Sequence, residues 1–220
     1  MNTENEEISK NILKSQTSIV GIVCKDGLVM AADRRVTAGN IVMSKDEKKV
    51  KKLNDYLIVA WTGGAADALL SGKVITAELR LKELKTKERP TIKEAAHLIG
   101  MMFYRNIRAP SMVPHIVGFL VGGFNEDGST ELYTIEPAGG VYEVKEYDAN
   151  FCSGMPYILG LLERQYKKDM LTKDAVELAK EALKASTQRD TGSGNGIDVF
   201  TITKSGILQA VSEEIIPQYK

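Results

Sequence analysis

Gln16-Thr17-Ser18-Ile19-Val20-Gly21-Ile22-Val23-Cys24-Lys25-Asp26-Gly27-Leu28-Val29-Met30-Ala31-Ala32-Asp33 decides the fold. Two runs, Ser18–Cys24 and Leu28–Asp33, are rich in β-branched and apolar residues, and Lys25-Asp26-Gly27 between them is a hairpin signal. Neither run alternates apolar with polar, the pattern of strands buried on both faces. The turn sets the register. If Asp26-Gly27 is a two-residue loop, Asp33 pairs with Val20 and faces away from Thr17. If Lys25-Asp26-Gly27 is a three-residue loop with Gly27 left-handed, Cys24 pairs with Leu28 and Asp33 with Ile19. Residues alternate faces, so Asp33 then lies one diagonal from Thr17. The three-residue loop is the expectation, because it gathers the polar residues.

Outward from this hairpin the chain alternates strands with helices. Short strands are expected at Ile41–Met43 and Lys49–Leu53, then Tyr56–Trp61 ending at Gly63-Gly64. A helix follows from Ala65 to about Leu84, with Ala66, Leu69, Leu70, Ile75, Leu79 and Leu84 near a 3.6 period. Pro90-Thr91 opens a second helix through Asn106, whose stripe is Ile92, Ala95, Ala96, Ile99 and Phe103. Strands return at His115–Gly122, Thr130–Ile135 and Val141–Asp148, separated by Gly-containing turns. Helices at Pro156–Gln165 and Thr172–Ser186 precede strands at Ile197–Thr203 and Gly206–Val211. No linker or composition shift divides residues 17–220. The order predicts one α+β domain of two antiparallel sheets, each covered by a helix pair.

Composition narrows the function. Apolar residues are 43% and charged residues 26% of the 220, typical of a folded globular chain. The 29 basic and 29 acidic residues balance, so no electrostatic footprint for nucleic acid exists. No stretch reaches the roughly 18 apolar residues of a membrane span. Residues 1–16 carry Glu4, Glu6 and Glu7 and lack the apolar core of a secretory signal, so they read as a different kind of leader. Cys24 and Cys152 are too few for a disulfide framework and read as buried thiols in a reducing compartment. His97 and His115 are too isolated for a metal site.

The chemistry concentrates around Thr17. A mid-chain threonine hydroxyl is a poor nucleophile. Cleavage after Gln16 would free an α-amino group, whose ordinary pKa of about 8 suits a general base near neutrality. Lys49 shares its strand parity with Lys51 and Leu53, which separates it from the surface lysines around it. A buried ammonium beside Asp33 would be held charged by its partner and penalised by desolvation. Cys152-Ser153-Gly154-Met155-Pro156 brings a serine to a helix start. The segment 188–196 ends a helix in a Gly-rich loop carrying Asp190 and Ser193. Gly63-Gly64 is either a plain turn or a source of oxyanion-binding amides.

Taken together these residues resemble archaeal-type proteasome β subunits. The resemblance is carried by Thr17 before Val20-Gly21, Lys25-Asp26-Gly27, Ala31-Ala32-Asp33-Arg34-Arg35, Thr37, Lys49, Gly63-Gly64-Ala65-Ala66-Asp67, Ser153-Gly154 and Arg189-Asp190-x-x-Ser193-Gly194. It runs from Thr17 to about Val211. It implies a four-layer αββα sandwich, the N-terminal-nucleophile hydrolase fold, and a threonine endopeptidase without a cofactor or metal. Thr17 matches the nucleophile released by autocatalytic loss of the leader, and Asp33 and Lys49 match the pair completing its charge network. Ser153, Asp190 and Ser193 match residues holding the threonine amine and a nearby water. Gly63 matches the oxyanion amide, and Thr37 and Ala65 match backbone groups that hold substrate as an added strand. Val36, Trp61, Ala65 and Leu69 would line the pocket for the residue before the cut, with Glu47 and Lys51 nearby. The implied setting is cytoplasmic: heptameric β rings between rings of α subunits, an AAA+ ATPase that unfolds substrate, and polypeptide inside the chamber. The family usually has glycine where this chain has Gln16. The alternative is a non-catalytic or neighbour-processed β-type ring subunit that serves assembly.

Overall fold

The computed structural model describes residues 16–215. The leader expected at residues 1–16 therefore lies outside the described residues, apart from Gln16. The first hairpin joins β1 (Ile19–Cys24) to β2 (Gly27–Asp33) through a two-residue loop, Lys25-Asp26, with Cys24 opposite Gly27 and Ile19 opposite Ala32. Neither register weighed from the sequence is adopted. Gly27 is not a loop residue; it has φ +156° and lies inside β2. A Cβ there would sit 2.2 Å from the carbonyl oxygen of Ile202. The neighbouring strand thus claims the glycine that local sequence assigns to the turn. Asp33 now falls opposite Ser18, whose carbonyl accepts the Asp33 amide at 3.0 Å.

Two five-stranded antiparallel sheets form the centre. The first has the order β10-β1-β2-β11-β12, with β10 Tyr147–Asp148, β11 Gly196–Thr203 and β12 Gly206–Glu214. The second has the order β5-β6-β7-β8-β9: Val50–Lys52, Leu57–Gly63, Val117–Phe124, Thr130–Ile135 and Val141–Glu143. A separate hairpin, β3 (Val36–Ala38) with β4 (Ile41–Ser44), projects beside them; β3 was not expected from the sequence. Helices α1 (Ala65–Thr86) and α2 (Ile92–Arg108) cover the second sheet, and α3 (Met155–Gln165) and α4 (Thr172–Thr187) cover the first. This is the predicted αββα sandwich. All of β2 is buried, as its unbroken apolar run requires. Among the described residues no helix is long and apolar enough to cross a membrane.

The α2 stripe is as expected: Ile92, Ala95, Ala96, Ile99 and Phe103 are all fully buried. Its start is fixed by a capping box in which Thr91 Oγ1 accepts the Glu94 amide and Glu94 Oε2 accepts the Thr91 amide, worth about 1 kcal/mol. The α1 stripe is rotated from the expected one. Ala68, Ser71, Ile75 and Leu79 face the core, while Ala66, Leu70 and Leu84 are exposed. Ser71 turns inward because its hydroxyl meets His115 Nε2 at 3.1 Å.

The run Val141–Asp148 is not one strand. β9 pairs with β8, but β10 pairs with β1 in the other sheet, so the chain crosses the sandwich between them. Asn150 then reaches back with its amide nitrogen 2.8 Å from Phe119 O and 2.7 Å from Thr134 Oγ1. This staple between sheets delivers Cys152, Ser153 and Gly154 to the start of β1.

Candidate active site

Asp33 ends β2 as a fully buried carboxylate surrounded by donors. Its Oδ2 accepts the amides of Arg35 and Gly194, each at 2.9 Å, and its Oδ1 accepts the Ser18 amide at 2.9 Å. Lys49 Nζ lies 2.7 Å from the same Oδ1 and also contacts Thr17 Oγ1, which donates to Asp33 Oδ1 at 3.2 Å. Lys49 is reached from the edge just before β5, where its carbonyl accepts the Trp61 amide. Burial lowers the Lys49 pKa, opposed by the charge of Asp33 and the hydrogen bond to it. The neutral amine, a proton acceptor, is therefore more accessible than in an exposed lysine.

A second cluster meets Thr17 from the other side. The Thr17 amide donates to Ser153 Oγ at 2.9 Å, and Ser153 Oγ is 2.7 Å from Asp190 Oδ2. Ser193 Oγ donates to the same Asp190 oxygen. Ser18 Oγ lies 2.7 Å from Ser193 Oγ and 2.5 Å from Ser186 Oγ. The loop carrying Asp190 and Ser193 is held by Arg35, whose Nη1 donates to Thr191 O and whose Nε donates to Asn195 Oδ1. The structure thus brings Thr17, Asp33, Lys49, Ser153, Asp190 and Ser193 together. Asp33 faces Ser18 by pairing, and Thr17 precedes β1, so its side chain is not bound by strand alternation.

The remaining candidates sit around this core. Gly63 ends β6 at φ +94°, directly before α1. Val36 and Ala65 pack half-buried at the edge of the α1–α2 core. Thr37 is half-buried, and its hydroxyl has no hydrogen-bond partner among the described residues. Trp61 and Leu69 line a cavity of about 190 Å³ with Lys51, Val59, Ala68 and Phe119. Val36 and Ala65 do not line this cavity. Glu47 pairs with Lys51 at 3.3 Å. Burial pushes the Cys152 thiol up to about 12, which leaves it neutral and unreactive beside the site.

Sequence reasoning missed Ser18, Ser186, Arg35 and the turn Thr191-Gly192. The Thr191 hydroxyl donates to Gln16 Oε1 at 3.1 Å, and a Cβ on Gly192 would lie 1.7 Å from Gln16 Cβ. Only the clustering of small polar residues around 186–196 hinted at these contacts.

Two antiparallel sheets stacked between two helix pairs form the αββα sandwich of the N-terminal-nucleophile hydrolase fold. The chain belongs to the proteasome subunit family: the profile described as "Proteasome subunit" matches residues 13–202. It is 37% identical over 202 residues to "Proteasome subunit beta" of Methanopyrus kandleri, covering 92% of this chain and 94% of that one. Similarity to "Proteasome subunit beta" of Ferroglobus placidus is 36% over 199 residues, 90% and 92% of the two chains. "Proteasome subunit beta 2" of Pyrococcus abyssi is 37% identical over 190 residues, 86% and 88% of the two chains.

Proposed function

We propose that the chain is a threonine endopeptidase β subunit of a proteasome core particle, active once residues 1–16 are removed. The carrying observation is the Thr17 hydroxyl, buried between Lys49 and Asp33, with its own amide nitrogen bonded to Ser153. In the mature chain Thr17 Oγ attacks the scissile carbonyl and the new α-amine takes its proton. Lys49 and Asp33 set the electrostatics of that proton, the Gly63 amide stabilises the oxyanion, and water releases the ester. Thr37 and Ala65 hold the polypeptide as an added strand, and the cavity beside Trp61 and Leu69 receives an apolar side chain. The subunit works in heptameric β rings stacked on α rings, in the cytoplasm, with an AAA+ ATPase delivering unfolded substrate.

The second reading is a ring subunit that keeps its leader. It is favoured by the seat of Gln16 on Thr191 and Gly192. Intact-mass measurement on the particle assembled with α subunits separates the two. Loss of residues 1–16, together with peptidase activity that disappears in Thr17→Ala, is the expected result. Peptide cleavage at the original rate by Thr17→Ala would overturn the assignment.

A further inference from the structure

Four serines around Asp190 form a connected series, and counting their protons gives it a direction. An ionised carboxylate only accepts, so Ser193 must spend its one hydroxyl proton on Asp190 Oδ2. The 2.7 Å contact between Ser18 Oγ and Ser193 Oγ then requires Ser18 to donate. With that proton committed, the 2.5 Å contact between Ser18 and Ser186 requires Ser186 to donate. Ser186 lies near the end of α4, where a serine commonly donates to its own helix four residues back. Here its proton goes across to Ser18, just before β1, instead. Ser18, Ser186 and Ser193 are all fully buried, so water does not substitute for any link.

A second observation makes the series a built feature. Gly154 follows Ser153, and a Cβ on it would lie 1.9 Å from Ser18 Oγ and 2.2 Å from Ser186 Oγ. The glycine leaves room for the two hydroxyls. Ser18 also joins the two halves of the site, since its amide donates to Asp33 Oδ1 while its hydroxyl feeds Ser193.

We propose that Ser18 and Ser186 are positioning residues that polarise the chain Ser186→Ser18→Ser193→Asp190 and so tune the base on Thr17. The proposal rests on the endopeptidase reading. At the same Asp190 oxygen, Ser153 links the carboxylate to the Thr17 nitrogen. Hydroxyls donating into Asp190 spread its negative charge away from that nitrogen. A mature Thr17 amine beside a less screened carboxylate would hold its proton more tightly, so less of it would be free to accept the Oγ proton near neutrality. Cooperative polarisation along a buried chain makes the far member matter although it touches neither Asp190 nor Thr17.

The test uses the full chain co-assembled with α subunits. Ser186→Ala removes one oxygen and leaves the packing in place. With a fluorogenic peptide it should lower kcat about three- to ten-fold, leave KM within about two-fold, and move the acid limb of the kcat–pH profile upward by about half a unit. Ser18→Ala should act in the same direction and more strongly. An unchanged kcat and acid limb in Ser186→Ala overturns the proposal, as does a fall in kcat with an unmoved profile. A double-mutant cycle on the thermal midpoint, combining Ser186→Ala with Asp190→Asn, needs no activity. Non-additive losses support the wire, and additive losses refute it. An inactive wild-type particle would sink the endopeptidase reading alone, and the cycle would still decide the wire.

Discussion

Two buried ion pairs start from adjacent residues, the last of β2 and the one after it, and end in opposite roles. Asp33 pairs with Lys49, and Arg34 with Asp198. Arg34 meets Asp198 as a fork, Nε to Oδ2 at 2.9 Å and Nη2 to Oδ1 at 2.7 Å, and its spare donors reach Ser212 and Asp46. Gln209 adds a donor to Asp198 at 2.9 Å. The hydrogen bond to Asp198 raises the Arg34 pKa above its already high value, so the guanidinium keeps its charge. Lys49 instead has a pKa lowered by burial, and it also points at a hydroxyl. A saturated pair fixes the end of β2 against β11. The other pair, one residue earlier and unsaturated only at its cation, leaves an amine with protons beyond its carboxylate bond to exchange with Thr17.

The largest effect should come from the unsaturated pair. Lys49→Arg keeps a cation but cannot give a neutral amine, and should lower kcat/KM by about 10²–10⁴-fold, the usual range for a positioned proton handler. Peptide hydrolysis within a few-fold of wild type would show that Lys49 is only a counter-ion. The pH dependence sharpens the point. Asp33 raises the Lys49 pKa against the larger effect of burial, so Asp33→Asn should lower it further. Any residual activity of Asp33→Asn that depends on neutral Lys49 should then have its acid limb at lower pH than wild type. A limb that moves upward would assign the titration to another group.

The saturated pair should show the reverse profile. Asp198→Ala strands Arg34 without its carboxylate, which costs about 3–5 kcal/mol for a buried pair. Chemical denaturation should report that loss, while kcat per folded site stays near wild type. Replacing both partners, Arg34→Met with Asp198→Leu, should recover much of the stability because no buried charge remains. If Asp198→Ala instead abolished catalysis in a stable particle, the division between the two pairs would fail.

The contrast also separates what the sequence discloses from what only the fold provides. The αββα order was legible because β2 and α2 carry unmistakable periods: unbroken apolar character in Gly27–Asp33 and the Ile92–Phe103 stripe. Thr17, Asp33 and Lys49 were legible as candidates by their setting and by family resemblance, and the fold brings them into contact. The hairpin register was not legible. Ile202, far along the chain, takes the space beside Gly27, so local turn chemistry chose wrongly. Val141–Asp148 read as one strand because nothing in its composition marks the crossing between sheets. Trp61 and Leu69 share a cavity beside α1, while Val36 and Ala65 sit at the rim of the α1–α2 core, a separation that sequence spacing does not disclose. Arg34–Asp198 left a trace that was not used: an aspartate inside the apolar run Ile197-Asp198-Val199 needs a buried cation.

The smallest expected effect tests whether saturation itself matters. Ser212 is exposed, and its hydroxyl accepts Arg34 Nη2 at 2.6 Å. Water can replace that oxygen, so Ser212→Ala should cost no more than about 1 kcal/mol, read as a small fall in denaturation midpoint, with activity unchanged. Ser153→Ala deletes a hydroxyl of the same size from the other network, where Asp190 and the Thr17 nitrogen both depend on it. There the loss should appear mainly in kcat and little in stability. Equal stability losses and equal activities in the two variants would mean that both clusters are scaffolding, and that the geometry around Thr17 has no privileged chemistry.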